Sequence, residues 1–287
     1  MQLAINVGIS TCLFALAAAG ISLTHATTRQ IPFILAATMS ITAYVCHGMH
    51  AVGFPILAAA LLAVATGTIA AFGLDFGFMR PLGAGTQAAW VAVATSLGAY
   101  LFVQAALALL FGEAGRTFSR SHESYQIGSG RVTALQSVLV GISVVATGGL
   151  LVFLRFSRSG RAIRGLASNA DLCVLLGIRT SVVRSVAVGV GGALTGLAAI
   201  LTAADSGLVP STGFTLFLSG VTAAILGGVG SAWGVAGGAL LLAAARHSVA
   251  YFGDPKWMDV VTFLILIGFL IWKPLGFSGR RLKKVDI

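Results

Sequence analysis

The stretch from Arg155 to Arg184 holds six arginines, at 155, 158, 161, 164, 179 and 184, against one acid, Asp171. Long apolar runs flank it on both sides. A guanidinium at bilayer depth costs at least ~2.5 kcal/mol, so this block is a loop between membrane spans. Its arginine excess places that loop in the cytoplasm. From Gly160 to Leu176 there are good helix formers and no proline. Ile163, Leu166, Ala167, Ala170 and Val174 recur at the spacing of one helix face. Gly177 stands where a C-cap glycine would. The pattern predicts one short amphipathic helix on the inner membrane face, its apolar side free to rest in a partner's groove. A solvated basic loop that only fixes topology fits the same pattern.

Composition settles the broad class. The chain is 57% hydrophobic and 9% charged, where a soluble domain carries roughly 25% charged residues. This is a polytopic membrane protein. The formal charge of +10 gathers in two blocks that positive-inside bias explains, so no nucleic acid is expected. Cys12, Cys46 and Cys173 are scattered, with neither metal spacing nor a disulfide framework. The 37 glycines point to closely packed or broken membrane segments. No basic residue precedes Arg29, and the run from Ile5 to Leu23 is long enough to span. An uncleaved first span running from outside to inside is the expectation.

Nine apolar segments follow one another: Ile5–Leu23, Ile31–Cys46, Val52–Phe72, Gln87–Phe111, Val132–Leu154, Ser185–Ala204, Phe214–Leu226, Trp233–Val249 and Met258–Trp272. The predicted fold is all-α, a transmembrane helix bundle of about eight or nine membrane segments in a single domain over 1–287. The second and seventh segments are short enough to re-enter rather than span. Gly227, Gly228, Gly230 and Ser231 interrupt the apolar run between Phe214 and Val249. If that run crosses twice, the basic tail from Lys273 lies inside with the arginine block, as positive-inside bias requires. The N-terminus is then outside, the C-terminus in the cytoplasm, and Glu113–Arg131 an outer loop. Glycine-broken segments of this kind line the pathway in transporters.

Catalytic signatures are missing: GxxxxGK[ST], HExxH and GxSxG do not occur. The chain reads as a non-enzyme without metal or cofactor of its own. His47 and His50 share a helix face but lack further ligands; they read as interfacial, as do His25 and His247. Asp75, Arg246 and Asp259 fall near predicted span ends, within reach of water. With no acid left inside the bilayer, ion coupling has no obvious seat. Energy then comes from a partner on the inner face. The competing reading is a self-sufficient channel or facilitator for a small neutral solute such as urea or a short amide.

Several segments in order resemble one family. They are Gly160-Arg161-Ala162-Ile163-Arg164, then Leu175-Leu176-Gly177-Ile178, then Gly191-Gly192-Ala193-Leu194-Thr195-Gly196-Leu197-Ala198. Val209 to Phe214, Ala223 to Ser231, Arg80-Pro81-Leu82 and Lys273-Pro274-Leu275-Gly276 continue the series. Together they resemble the LivH-type permeases of branched-chain amino acid ABC transporters. The family's Asn-x-Ala-His-Gly stretch has no counterpart at Thr28 to Leu35, and a lysine common after its Gly-Phe segment is replaced near Ser219. The family also includes carriers of urea, short amides and aromatic acids.

The resemblance implies an inner-membrane permease subunit paired with a LivM-type second permease. It implies two cytoplasmic ABC ATPases, which bind the ATP, and a periplasmic solute-binding protein. It assigns coupling to Gly160, Arg161, Arg164, Ala167, Asp171 and Gly177. Gly213, Phe214, Gly227, Gly228, Gly230 and Ser231 are then expected along the translocation path or at its broken segment.

Overall fold

In the bilayer each backbone polar group must find its partner within the protein, and helices do this segment by segment. A computed structural model describes residues 1–30, 33–79, 86–118, 124–127, 130–228 and 230–272. The long helices are α1 (Gln2–Thr28), α2 (Ile34–Ala51), α3 (Ile56–Leu74), α4 (Thr86–Phe111) and α5 (Ala134–Phe156). Two short helices follow, α6 (Arg158–Ser168) and α7 (Ala170–Leu175). The chain returns through α8 (Thr180–Ser206), α9 (Thr212–Gly227), α10 (Ala232–Phe252) and α11 (Met258–Trp272). A π-helical turn, Asp75–Met79, extends α3. The all-α bundle predicted from sequence is therefore found.

Seven of these helices are long and apolar enough to cross a membrane, α11 together with the 3₁₀ turn Pro255–Trp257 that leads into it. The other two long ones, α2 and α9, are the two segments whose shortness was legible in the sequence. At 16 residues, α9 extends about 24 Å, less than the ~30 Å of a hydrocarbon core. Both nevertheless run from one end of the bundle to the other. At the arginine end, Ile34 and Leu35 of α2 sit with Asp75 and Arg184. At the far end His47 and His50 flank the Phe118 ring. Thr212 and Thr215 of α9 belong to the far end, beside Arg116. The turn after α9 returns to the arginine end, where Gly230 N–H donates to Ser22 Oγ of α1 at 3.1 Å.

Burial separates centre from rim. Of the apolar stretch of α8, 67% is buried, against 6% for α11. The centre is α8 with α1, α2, α9 and α10. Small residues allow the approach: a methyl at Gly20 of α1 would lie 2.8 Å from the Gly191 carbonyl oxygen of α8. One at Gly192 would lie 2.6 Å from Ala71 Cβ of α3. The outer rows of α4, α5 and α11 carry exposed Phe102, Leu109, Val145, Leu264 and Ile271, as lipid-facing surfaces do.

Three expectations need correction. The segment ahead of α5 is not plain loop: Ser124–Ile127 pairs antiparallel with Gly130–Thr133 in a two-stranded hairpin. Thr133 then caps α5 reciprocally with Gln136. Asp75 does not reach water; it is 3% exposed and receives a hydrogen bond from Arg184 Nη2 at 2.8 Å. Arg246 lies inside α10 rather than at its end, its side chain 12% exposed. The basic tail after Trp272, Arg80-Pro81-Leu82 and Val229 lie outside the described residues.

Candidate functional site

The arginine loop folds as two helices, not one. Asn169 adopts an extended backbone (φ −151°, ψ 107°) that ends α6. Its Oδ1 accepts from Leu172 N–H at 3.1 Å and starts α7, the usual work of an N-cap asparagine. Ser157 does the same for α6, accepting from Gly160 N–H at 2.8 Å. Gly160 is buried where α6 folds back on the end of α5; a methyl there would lie 2.6 Å from Leu154 Cα. Gly177, with φ +73°, ends α7 as expected. Its N–H donates to Val174 O and that of Ile178 to Cys173 O, both at 3.0 Å, a Schellman pair that left-handed glycine permits.

The faces of this hairpin are also corrected. Ile163 and Leu166 do not await a partner's groove. They pack with Cys173 on Leu23, Leu150, Val183 and Ala187 of this chain's own helices. What faces outward is Arg158, Arg161, Arg164 and Asp171, with an apolar cluster the helix pattern did not foretell. Leu175 is 83% exposed and Leu176 69%. An amphipathic knob of guanidinium groups and bare leucines therefore projects from the arginine end.

Two groups of residues singled out separately in the sequence meet here. Arg164 and Ala167 of α6 share one cleft of about 120 Å³ with Gly230 and Ser231. α1 and α5 close its sides through Ala19, Leu23 and Leu150. Ser231 caps α10 by accepting from Gly234 N–H at 3.2 Å. Gly228 (φ +88°) and Gly230 (φ +93°) take backbone conformations that L side chains rarely adopt. α9 and α10 touch backbone to backbone, since a Cβ at Gly227 would collide with the carbonyl of Gly234.

Gly213 and Phe214 sit at the other end of α9. Gly213 lies against Ser40 and the Ala36 carbonyl of α2, with no room for a Cβ. Phe214 stacks on Tyr100 of α4, centroids 5.1 Å apart. The path residues predicted together therefore mark the two ends of one buried helix.

Beside Thr212 and Thr215 of α9 a cavity of about 550 Å³ lies at the far end, between α1, α8, α9 and α10. Arg246 enters it from α10. Its Nη1 donates to Thr262 Oγ1 (2.6 Å) and Ser219 Oγ (3.2 Å), and its Nη2 to Asp259 Oδ1 (3.0 Å). The guanidinium carbon lies 5.5 Å from the Phe14 ring centre. In the same wall His247 Nε2 and Ser10 Oγ share a hydrogen bond of 2.7 Å. Asp205 accepts from Gln136 Nε2 at 3.1 Å.

Known proteins agree with this architecture. Residues 3–270 match the family described as branched-chain amino acid transport system / permease component. The chain belongs to that family. LivH, the permease protein of a high-affinity branched-chain amino acid transport system in Salmonella typhimurium, is 31% identical over 200 residues. That match covers 66% of this chain and 64% of LivH. BraD, a permease protein of the same description in Pseudomonas aeruginosa, is 36% identical over 151 residues, 52% of this chain and 49% of BraD. The chain thus spans about half to two thirds of the length of the curated relatives it matches. Among solved structures, PsaBC from Streptococcus pneumoniae in complex with Fab aligns with a TM-score of 0.53 at 10% identity. It covers 94% of this chain and 91% of that one; the likeness is one of fold.

The cavity around Arg246 went unseen in the sequence. Arg246 stands six residues before the end of α10, close enough to pass for an interfacial arginine. The signal available was its neighbour pattern. Arg246 and His247 follow a run of fourteen apolar or glycine residues, Ala232 to Ala245, and a charge so placed faces protein or a cavity.

Proposed function

We infer that this chain is a membrane-spanning permease subunit of an ABC importer. It moves branched-chain amino acids or a related small polar solute across a bacterial inner membrane. Partner ATPases supply the energy, and ATP binds to them and not to this chain. The knob formed by α6 and α7 carries the reading. Exposed Leu175 and Leu176 beside Arg158, Arg161 and Arg164 have both the apolar area and the charge that a cytoplasmic protein can grip. A loop that only fixed topology would need the arginines alone.

Two ATPase subunits would hold two such knobs, one here and one on a LivM-type second permease. A periplasmic binding protein would deliver solute to the far end. The arginine end is then cytoplasmic, the N-terminus outside and the tail inside. Purified chain, second permease and ATPases in proteoliposomes, with the binding protein supplied at the far end, test this directly. Leucine uptake that requires ATP and the ATPases is the expected result. Uptake by this chain alone, without ATP, would make it a facilitator.

A further inference from the structure

The cavity at the far end lies where a solute delivered from outside would enter, and its walls combine three chemistries. Leu13, Phe14 and Leu216 supply apolar surface. Arg246 supplies a cation and Asp205 an acid. Its volume of about 550 Å³ falls in the ~300–1,000 Å³ range of small-molecule sites. We propose that this cavity is a solute-binding site for a small aliphatic α-amino acid, with Arg246 holding the carboxylate and Asp205 the ammonium group. The inference rests on the transport reading above and deepens it.

The guanidinium is built for such a guest. It has five N–H donors, and three donate to Ser219, Thr262 and Asp259. Those bonds fix its orientation and leave Nε–H and one Nη2–H for a carboxylate, the planar acceptor that a guanidinium matches best. The Phe14 ring beneath it adds cation–π support and keeps the floor apolar. Also in the cavity lining, Thr202 Oγ1 is buried without a hydrogen-bond partner among the described residues. Such a group is costly unless something fills the site and bonds to it. A cluster serving only to pack helices would need neither this volume nor two opposite charges facing it.

Occupancy can be read apart from ATP coupling. Thr202→Cys and, separately, Thr215→Cys are placed in a background with Cys12, Cys46 and Cys173 changed to Ala. Maleimide labelling is followed in the assembled complex with leucine, leucinamide (no carboxylate) or 4-methylpentanoate (no ammonium). Leucine should protect both positions at concentrations about tenfold or more below those of either analogue, the scale of one lost charge-assisted bond. Arg246→Gln should abolish the preference for leucine over leucinamide, and Arg246→Lys should restore part of it. Asp205→Asn should abolish the preference over 4-methylpentanoate. Equal protection by all three compounds would overturn the site, as would preferences that survive both charge removals. Absence of protection while the unmodified complex still imports leucine would overturn the site alone. Absence of both would overturn the transport reading as well.

Discussion

Arg184, in the first turns of α8, donates to Asp75, just past the end of α3, across 2.8 Å. The pair ties the exit of the arginine loop to a neighbouring helix at the same end of the bundle. Asp75 is buried and Arg184 partly so, with side-chain exposures of 4% and 28%. Removing the cation takes a charge-assisted hydrogen bond from a buried carboxylate, and losing one member of a buried pair costs more than the pair itself is worth.

Arg184→Ala should therefore lower the stability of the purified protein by roughly 1–3 kcal/mol. Thermal unfolding in detergent measures it, as one arm of a double-mutant cycle. Asp75→Ala should cost less in the Arg184→Ala background than in the wild type, with a coupling of about 0.5–3 kcal/mol. Additive losses would show that the pair contributes nothing.

The turn at 228–231 makes a second prediction. Gly228 holds φ +88°, a region in which an L side chain costs on the order of 1–3 kcal/mol. Gly228→Leu should leave membrane insertion intact, as judged by fractionation, and sharply reduce solute uptake. Wild-type uptake with that bulky residue would contradict the role of the turn.

Orientation is open to labelling. Ser168 is exposed at the arginine end, and Glu113 is exposed just past α4 at the far end. A cysteine at Glu113 should react with an impermeant maleimide in intact cells. One at Ser168 should react only after the membrane is opened. The reverse pattern would place the knob outside the cell and remove it from any cytoplasmic ATPase.

Much of this molecule could be read from the chain because membranes impose simple rules. The nine apolar segments, the arginine block and the glycine break at Gly227 to Ser231 all follow from where charge and backbone polarity can go. Gly177 was legible for the same local reason, a left-handed C-cap. What escaped the sequence depended on competition between local and distant partners. Asn169 reads as one more polar residue on a helix until its side chain caps α7. Ile163 and Leu166 read as a free apolar face because nothing local says that Leu23 and Val183 will cover them. Arg246 and Asp75 read as interfacial because their partners, Ser219, Thr262 and Arg184, are 16 to 109 residues distant.

On the function proposed above, the α6–α7 knob transmits the work of ATPases to this chain. The direct measurement is leucine taken up per ATP hydrolysed in proteoliposomes, for wild type and for Leu175→Asp with Leu176→Asp. Both leucines face outward, so the bundle should fold unchanged. Each desolvated leucine is worth about 1.5–3 kcal/mol of contact when covered. The double variant should lose ATPase binding or hydrolyse ATP without uptake, while its solute preference in the labelling assay stays that of the wild type. Normal uptake per ATP would contradict the claim, and so would an altered solute preference with coupling intact.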